Sequence, residues 1–122
     1  MTDSITVQGI YAGAIVADFA AGLAWYEKFM GRPADDQPFP GMAQWRNMGG
    51  AGLQLWQDDE RAGKAILTVV VPDLNREQAR LKVAGLPVGD LVSGGFGKIT
   101  QLNDPEGNRI HLAEPPKGFV NA

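Results

Sequence analysis

The sequence contains no cysteine, and this absence removes several kinds of chemistry at once. Disulfide bonds, thiolate metal sites and thiol nucleophiles are all excluded from a chain of 122 residues without cysteine. Histidine occurs once, at His111, and serine occurs only at Ser4 and Ser93. Neither serine lies in a Gly-x-Ser-x-Gly turn, so the sequence gives no sign of a Ser-His-Asp hydrolase.

Positive charge and long apolar runs are also scarce. Lys and Arg number 11 against 14 Asp and Glu, which gives a formal net charge of −3. This balance provides no broad positive field to hold nucleic acid or an anionic membrane. No apolar run approaches the roughly 20 residues that span a bilayer, and Met1–Ser4 lack the basic and apolar parts of a signal peptide. We therefore expect a cytoplasmic protein with a single domain over residues 1–122.

Glycine is abundant, with 16 residues spread along the chain, which predicts many tight turns between short strands. In the first half, residues 5–17 are apolar and β-branched and predict a strand. Asp18 is a good N-cap for a helix that should end at Gly31. Residues 41–47 and 53–57 then flank a glycine-rich turn, which predicts a β-hairpin.

The second half follows the same order. Residues 65–71 predict a buried strand, Asp73 an N-cap, and Gly85 the end of a second helix. Residues 97–102 and 109–113 flank the turn-forming sequence Asn-Asp-Pro-Glu-Gly-Asn and predict a second hairpin.

The two halves can be overlaid with a nearly constant spacing between matched residues. The matches are Val16-Ala17-Asp18 with Val71-Pro72-Asp73, Gly31 with Gly85, Gly41 with Gly97, Asn47 with Asn103, and Leu53-Gln54-Leu55 with Ile110-His111-Leu112. The same succession of strand, Asp cap, helix, Gly stop and hairpin predicts two copies of one structural unit, over about 5–57 and 65–114.

The ordered set of motifs resembles one known superfamily. Residues 96–112 (FGKITQLNDPEGNRIHL) are similar to its closing strand, Asp-Pro-acidic-Gly-Asn turn and strand. Val16-Ala17-Asp18 with Trp25-Tyr26 and Met30-Gly31 resembles its opening helix, and residues 66–85 resemble its middle helix. The family is the vicinal oxygen chelate superfamily, which includes glyoxalases, bleomycin-resistance proteins and extradiol dioxygenases. The resemblance implies an α+β fold of two βαβββ modules, with sheets curved around a cleft, helices outside, and a homodimer.

Enzymes of this superfamily hold a divalent metal on the sheets with His, Glu or Gln at strand positions of both modules. The resemblance places these positions at Tyr11, Gln54, Leu67 and His111. A Lewis-acid metal needs about three or four oxygen or nitrogen donors. Leu67 offers none, the Tyr11 phenol ionises only near pH ~10, and Gln54 is a weak neutral donor. We therefore expect no metal cofactor; a divalent metal, if bound, would use Gln54 and His111.

Strand alternation indicates which side chains face the cleft. In residues 53–56 the two leucines point to one side of the sheet, and Gln54 and Trp56 point to the other. In the last strand, His111 likewise points to the side opposite Ile110 and Leu112. A cleft of aromatic and amide groups is typical of binding by stacking and hydrogen bonds. The candidate ligand-binding residues are Tyr11, Trp45, Gln54, Trp56, Gln101 and His111. Each has a plainer alternative in core packing, interface packing or a structural hydrogen bond.

These observations favour a metal-independent small-molecule binding protein that resembles the drug-sequestering, bleomycin-resistance branch of the superfamily. Members of that branch are acidic dimers that hold a cationic planar compound, and the net charge of −3 is compatible with this. The alternative is a metal-dependent glyoxalase-type lyase, isomerase or dioxygenase, with His111 as ligand or general base and the only catalytic candidate. A third interpretation is an interaction module whose cleft is filled by its own side chains.

Overall fold

The computed structural model describes residues 4–118. Residues 1–3, part of the segment in which no signal peptide was expected, lie outside the described residues, as do residues 119–122. The first module contains five elements: β1 (Ile10–Val16), α1 (Phe19–Met30), β2 (Asp36–Phe39), β3 (Met42–Trp45) and β4 (Ala51–Gln57). Its sheet has the order β1-β4-β3-β2, with β1 parallel to β4 and the other pairs antiparallel.

The second module repeats this arrangement. Its elements are β5 (Ile66–Val70), α2 (Leu74–Val83), β6 (Val92–Gly94), β7 (Gly97–Asn103) and β8 (Arg109–Glu114). The sheet order is β5-β8-β7-β6, again with the first pair parallel and the others antiparallel. The predicted α+β fold of two βαβββ modules is therefore confirmed.

Both helices begin and end at the residues that the sequence predicted. Asp18 and Asp73 are the N-caps, and each side chain accepts a hydrogen bond of 3.1 Å from the backbone N–H three residues later. Gly31 and Gly85 follow the last turns with φ of 78° and 81°, a left-handed conformation that costs glycine little. No helix within residues 4–118 is long and apolar enough to cross a membrane.

The strand predictions differ from the structure at β1, β2 and β6, and the short edge strand β6 was not predicted from the residues. The first strand starts at Ile10 rather than at residue 5. The Ile10 N–H donates to the carbonyl oxygen of Gly50 at 3.0 Å. The edge strand β2 carries Pro38 and lacks an alternating apolar pattern, and the sequence did not indicate it.

One apolar core serves both modules. It lies between the helices and the inner face of each sheet, and it contains Trp45 and Leu55 from the first module and Leu74 and Ile110 from the second. Burial alternates along β4 and β8, so that the leucine and isoleucine side chains point inward as predicted.

The turn at residues 104–108 joins the second module to the first, and we call it the inter-module clasp. Three of its side chains make these contacts: Asp104 Oδ2 accepts from the Tyr26 hydroxyl at 2.7 Å, the Glu106 carboxylate accepts from the N–H groups of Ala17 and Asp18 at 2.8 and 2.9 Å, and Asn108 Nδ2 donates to the Ile15 carbonyl at 2.7 Å. Burial, together with the hydrogen bond to and charge of Asp104, raises the pKa of Tyr26. Its hydroxyl therefore remains a donor.

A second contact between the modules lies at the other end of α1. The Arg80 guanidinium on α2 donates to the carbonyl oxygens of Lys28 and Phe29, and its Nε donates to Glu77 at 2.9 Å. The last carbonyls of a helix lack partners within the helix. Groups of the second module thus bind α1 at both ends.

Candidate functional site

Each sheet has one face on the core and one open face. On the first sheet, the registers place open-face side chains in three rows across the strands. The rows are Tyr11 beside Gly52, then Gly13 beside Gln54 and Gln44, then Ile15 beside Trp56 and Met42. We call this surface open face one; it contains Gln54 and Trp56, as strand alternation predicted.

An aromatic platform occupies the middle of open face one. The Trp56 indole N–H donates to Gln54 Oε1 at 3.0 Å, and Gln54 Nε2 donates to Gln44 Oε1 at 3.2 Å. Phe39 packs against the Trp56 ring, with centroids 5.6 Å apart and planes tilted by 55°. We define the aromatic platform as Phe39, Trp56, Gln54 and Gln44. The two amides fix the indole in one orientation, which prepares a flat apolar surface for stacking.

A bare stretch of backbone lies beside this platform. Gly13 is the strand neighbour of Gln54, and a Cβ built on it would lie 3.9 Å from Trp56 Cδ1. On the next row, the Tyr11 ring occupies the space where a Gly52 side chain would be, since an added Cβ there would lie 2.3 Å from Tyr11 Cε2. Tyr11 therefore lies across β4, and the surface above Gly13 is left free between Tyr11 and Trp56.

The open face of the second sheet, which we call open face two, carries polar groups among apolar ones. His111 is half-buried and lies between Thr68 on β5 and Gln101 on β7. Arg109 is exposed, with Ile66 on one side and Asn103 on the other. His111 thus faces the side that strand alternation predicted, and Gln101 lies beside it on the same face.

Trp45 does not reach either open face, and its assignment to the ligand-binding cleft is wrong. It lies opposite Leu53 on the core face, has 0% exposure, and donates its indole N–H to the Arg32 carbonyl at 3.0 Å. The residue matched to Gln101 by strand register is Gln44, because these two lie opposite His111 and Gln54 respectively.

The assignment of Leu67 to a position facing the cleft is also wrong. Leu67 is buried on the core face beside Ile110, and Thr68 is the open-face neighbour of His111. The matching neighbour of Gln54 is Gly13, which has no side chain, and the Gln54 carbonyl already accepts the Trp56 indole N–H. Within residues 4–118, no three His, Asp or Glu side chains come together as a metal site. The donor set therefore does not suit the divalent metal of the resembled enzymes.

The sequence analysis did not single out several open-face residues, among them Gly13, Phe39, Gln44, Thr68 and Arg109. Alternation along β3, counted from Trp45 as a core residue, would have found Gln44, and alternation from His111 would have found Arg109. To identify Gly13 and Thr68, one must know how β1 pairs with β4 and β5 with β8. No local sequence pattern gives this register.

Two surface hollows lie away from the aromatic platform. Two hollows of about 530 and 340 Å³ are present in the described part of the chain. The first is lined by residues 70–72 and 114–117, and the second by Tyr11 with residues 8–9, 47 and 50–51. Neither touches Trp56 or His111. Both hollows therefore lie at the margins of the open faces, outside the platform and the surroundings of His111.

The chain is similar to several solved structures. No family model and no curated protein sequence matches the chain. A glyoxalase/bleomycin resistance protein from Catenulispora acidiphila is 28% identical, with a TM-score of 0.83 over 91% of this chain and 100% of that one. TnmS3, an antibiotic binding protein from a Streptomyces species, is 24% identical, with a TM-score of 0.75 over 95% of this chain and 100% of its own.

A bleomycin-binding protein from Streptomyces verticillus, solved with copper(II)-bleomycin, shares the fold at 16% identity, with a TM-score of 0.75 over 93% of this chain and 100% of that chain. Each of the three similarities covers more than nine-tenths of this chain and therefore extends over both modules. With two βαβββ modules in this order and these similar structures, the chain has the fold of the glyoxalase/bleomycin resistance, or vicinal oxygen chelate, superfamily.

Proposed function

We propose that this protein is a metal-independent binding protein for a planar small molecule, such as an aromatic drug or metabolite. The observation that supports this most directly is the Trp56 indole, which Gln54 and Gln44 hold in place beside the bare backbone of Gly13. A ring can lie there against the indole without displacing a side chain of the protein.

Hydrogen bonds would orient the ligand on this surface. Gln54 Nε2 has a second hydrogen that its bond to Gln44 does not use, and the Tyr11 hydroxyl stands at the edge of the same face. Gln101 and His111 offer further donors and acceptors on open face two. We assign these residues to binding and propose no catalytic step for them.

The relatives support this class of function. Two of the similar structures are, by their descriptions, an antibiotic binding protein and a bleomycin-binding protein. Their likeness to this chain shows the fold, and the aromatic platform supplies the local reason to extend ligand binding to this protein. We do not assign the ligands of these relatives to this protein.

We also propose a homodimer in which a second copy covers the open faces. Large apolar side chains on these faces are exposed in one chain: Ile66 by 71%, Val92 by 57%, Val70 by 49%, Phe39 by 47% and Tyr11 by 40%. Large exposed apolar side chains on a sheet face are typical of binding interfaces. A second chain would turn the two open faces into an enclosed cleft. A cytoplasmic location stays a prediction.

A thermal-shift screen with planar aromatic compounds and divalent metals tests the proposal. A compound that binds the native state raises Tm by mass action, and its effect should be lost in Trp56→Ala. Light scattering should give the mass of two chains. Stoichiometric Ni, Zn, Fe or Mn in protein purified without a histidine tag would contradict the proposal and favour the lyase, isomerase or dioxygenase alternative.

A further inference from the structure

Open face two has a charge pattern that the net charge of the chain does not reveal. The central strand β8 presents Arg109 and His111 on this face, two residues apart. The strands on either side add hydroxyl and amide donors beside them. These neighbours are Thr68 and, on β7, Gln101 and Asn103.

Carboxylates are turned away from this surface. Lys98 and Glu114 are neighbours in the β7–β8 register, and both lie on the core side. Glu114 Oε1 accepts a hydrogen bond of 2.8 Å from the N–H of Leu74 at the start of α2. On open face one, Asp36 lies opposite Gln44 and is paired with Arg46, whose Nε is 3.2 Å from Asp36 Oδ2. Among the strand residues of both open faces, the uncompensated charge is therefore positive.

The surroundings of Arg109 favour an anionic partner. Ile66, Val70 and Val92 flank the polar centre with exposed apolar side chains. Once a ligand and a covering surface exclude water, an ion pair within such a rim becomes stronger than in bulk solvent. The planar guanidinium also presents several N–H donors, which suit a carboxylate or a similar pair of oxygens.

We propose that the ligand is an aromatic compound with an anionic oxygen group, a carboxylate, phenolate or enolate, and that Arg109 and His111 bind this group. The inference rests on the proposed function and narrows its ligand class. The net charge of −3 is compatible with a cationic ligand, but this inference predicts an anionic one. The reason is that a ligand on the open faces meets the charge of Arg109 there, not the net charge of the chain. In the cleft that the proposed second copy encloses, Arg109 fixes the oxygen group and the aromatic platform takes the ring.

The test uses three probes with one ring system: 2-naphthoate, 2-naphthamide and 2-naphthylmethylamine. Binding is followed by calorimetry and by the NMR signal of the Trp56 indole N–H in the full chain. We expect 2-naphthoate to bind at least about 10-fold more tightly than the amide or amine, and its affinity to fall with added salt. Arg109→Gln should remove about 10-fold or more of this affinity.

Arg76→Gln is the matched control, since Arg76 is exposed on α2 and its removal changes the net charge equally. It should leave 2-naphthoate binding unchanged. If Arg109→Gln does not fold, His111→Gln and the salt dependence of the wild type decide the same point. Tighter binding of the amine, or an unchanged affinity in Arg109→Gln, overturns the inference but leaves the proposed function standing if the Trp56 signal still shifts. Failure of all three probes to shift that signal overturns both.

Discussion

The Tyr26 hydroxyl donates to Asp104 Oδ2 at 2.7 Å across the junction of the two modules, although the residues are 78 positions apart in sequence. Asp104 is only 4% exposed, and it also accepts from Asn108 Nδ2 and from the backbone N–H groups of Glu106 and Asn108. A buried carboxylate requires such donors, because water is not there to replace them.

Tyr26→Phe should therefore destabilise the protein by about 1–3 kcal/mol, since it leaves one acceptor position of a buried carboxylate without its donor. Urea unfolding followed by circular dichroism measures this loss. Tyr11→Phe is the matched control, because it removes the same hydroxyl from the exposed ring on open face one. Equal losses in the two variants would show that the clasp hydrogen bond contributes nothing specific.

The pH dependence of stability should also report on Tyr26. Burial, then the hydrogen bond to Asp104 and its charge, raises the pKa of this phenol. In the unfolded chain it ionises near pH ~10. Its contribution to the free energy of unfolding is thus fully present below about pH 10 and is lost as the pH rises above that value.

Wild-type protein should consequently lose stability more steeply than Tyr26→Phe between about pH 10 and 12, as measured by urea unfolding at each pH. The lysines titrate in both proteins, so the difference between the two curves isolates the phenol. Parallel curves would mean that Tyr26 ionises in the folded protein as readily as in the unfolded chain.

The tryptophans at positions 45 and 56 should respond in opposite ways to replacement by alanine. Trp45 fills the core, so Trp45→Ala should cost about 3–5 kcal/mol of stability. Trp56 stands on the open face, so Trp56→Ala should affect stability less and weaken a planar ligand by about 1–3 kcal/mol. Thermal unfolding and calorimetric binding measure the two effects. A ligand that binds Trp56→Ala as well as the wild type would remove the platform from the site.

Glycines 13 and 52 offer a second contrast on the same face. Gly13→Ala places a methyl group 3.9 Å from Trp56 Cδ1, an ordinary contact. We expect stability to be unchanged or raised by about 0.4–1 kcal/mol, while binding of a planar ligand falls because the methyl occupies its place.

In Gly52→Ala, the new methyl would lie 2.3 Å from the Tyr11 ring and 2.7 Å from the Trp45 carbonyl oxygen. This overlap should cost about 1–3 kcal/mol of stability. The two variants are compared by thermal unfolding and by calorimetry. Full-strength ligand binding to a folded Gly13→Ala protein would show that ligands do not use the surface above this residue.

The fold was predictable because its signals are local. Asp18 and Asp73 start helices, Gly31 and Gly85 end them, and the repeated order of these residues indicates two modules. The edge strand β2 escaped prediction because its pairing with β3 supplies the order that its own sequence lacks. The turn at residues 104–108 was predicted as a turn, but its bonds to the first module depend on tertiary contact.

Which side chains of the candidate site lie on the open faces was predictable only where the strand phase was correct. Side chains alternate between faces, so an error of one residue moves a side chain to the opposite surface. Gln54, Trp56 and His111 were placed correctly from neighbouring leucines and isoleucines. Trp45 was assigned to the cleft from its place on the neighbouring strand, without knowledge of the strand phase. The register shows that Gln44, not Trp45, lies opposite Gln54, as Gln101 lies opposite His111.

The contacts at the two ends of α1 bear on how this chain folds as it is synthesised. Glu106 binds the N–H groups of Ala17 and Asp18, and Arg80 binds the last carbonyls of α1. By contrast, Asp73 and Glu114 at the start of α2 both belong to its own half. As the chain emerges from the ribosome, α1 lacks these partners until the second module has been synthesised. The N-terminal partners of α2, by contrast, lie within its own module. The two modules thus depend on each other unequally. A fragment that contains only the first module should be less stable than a fragment that contains only the second.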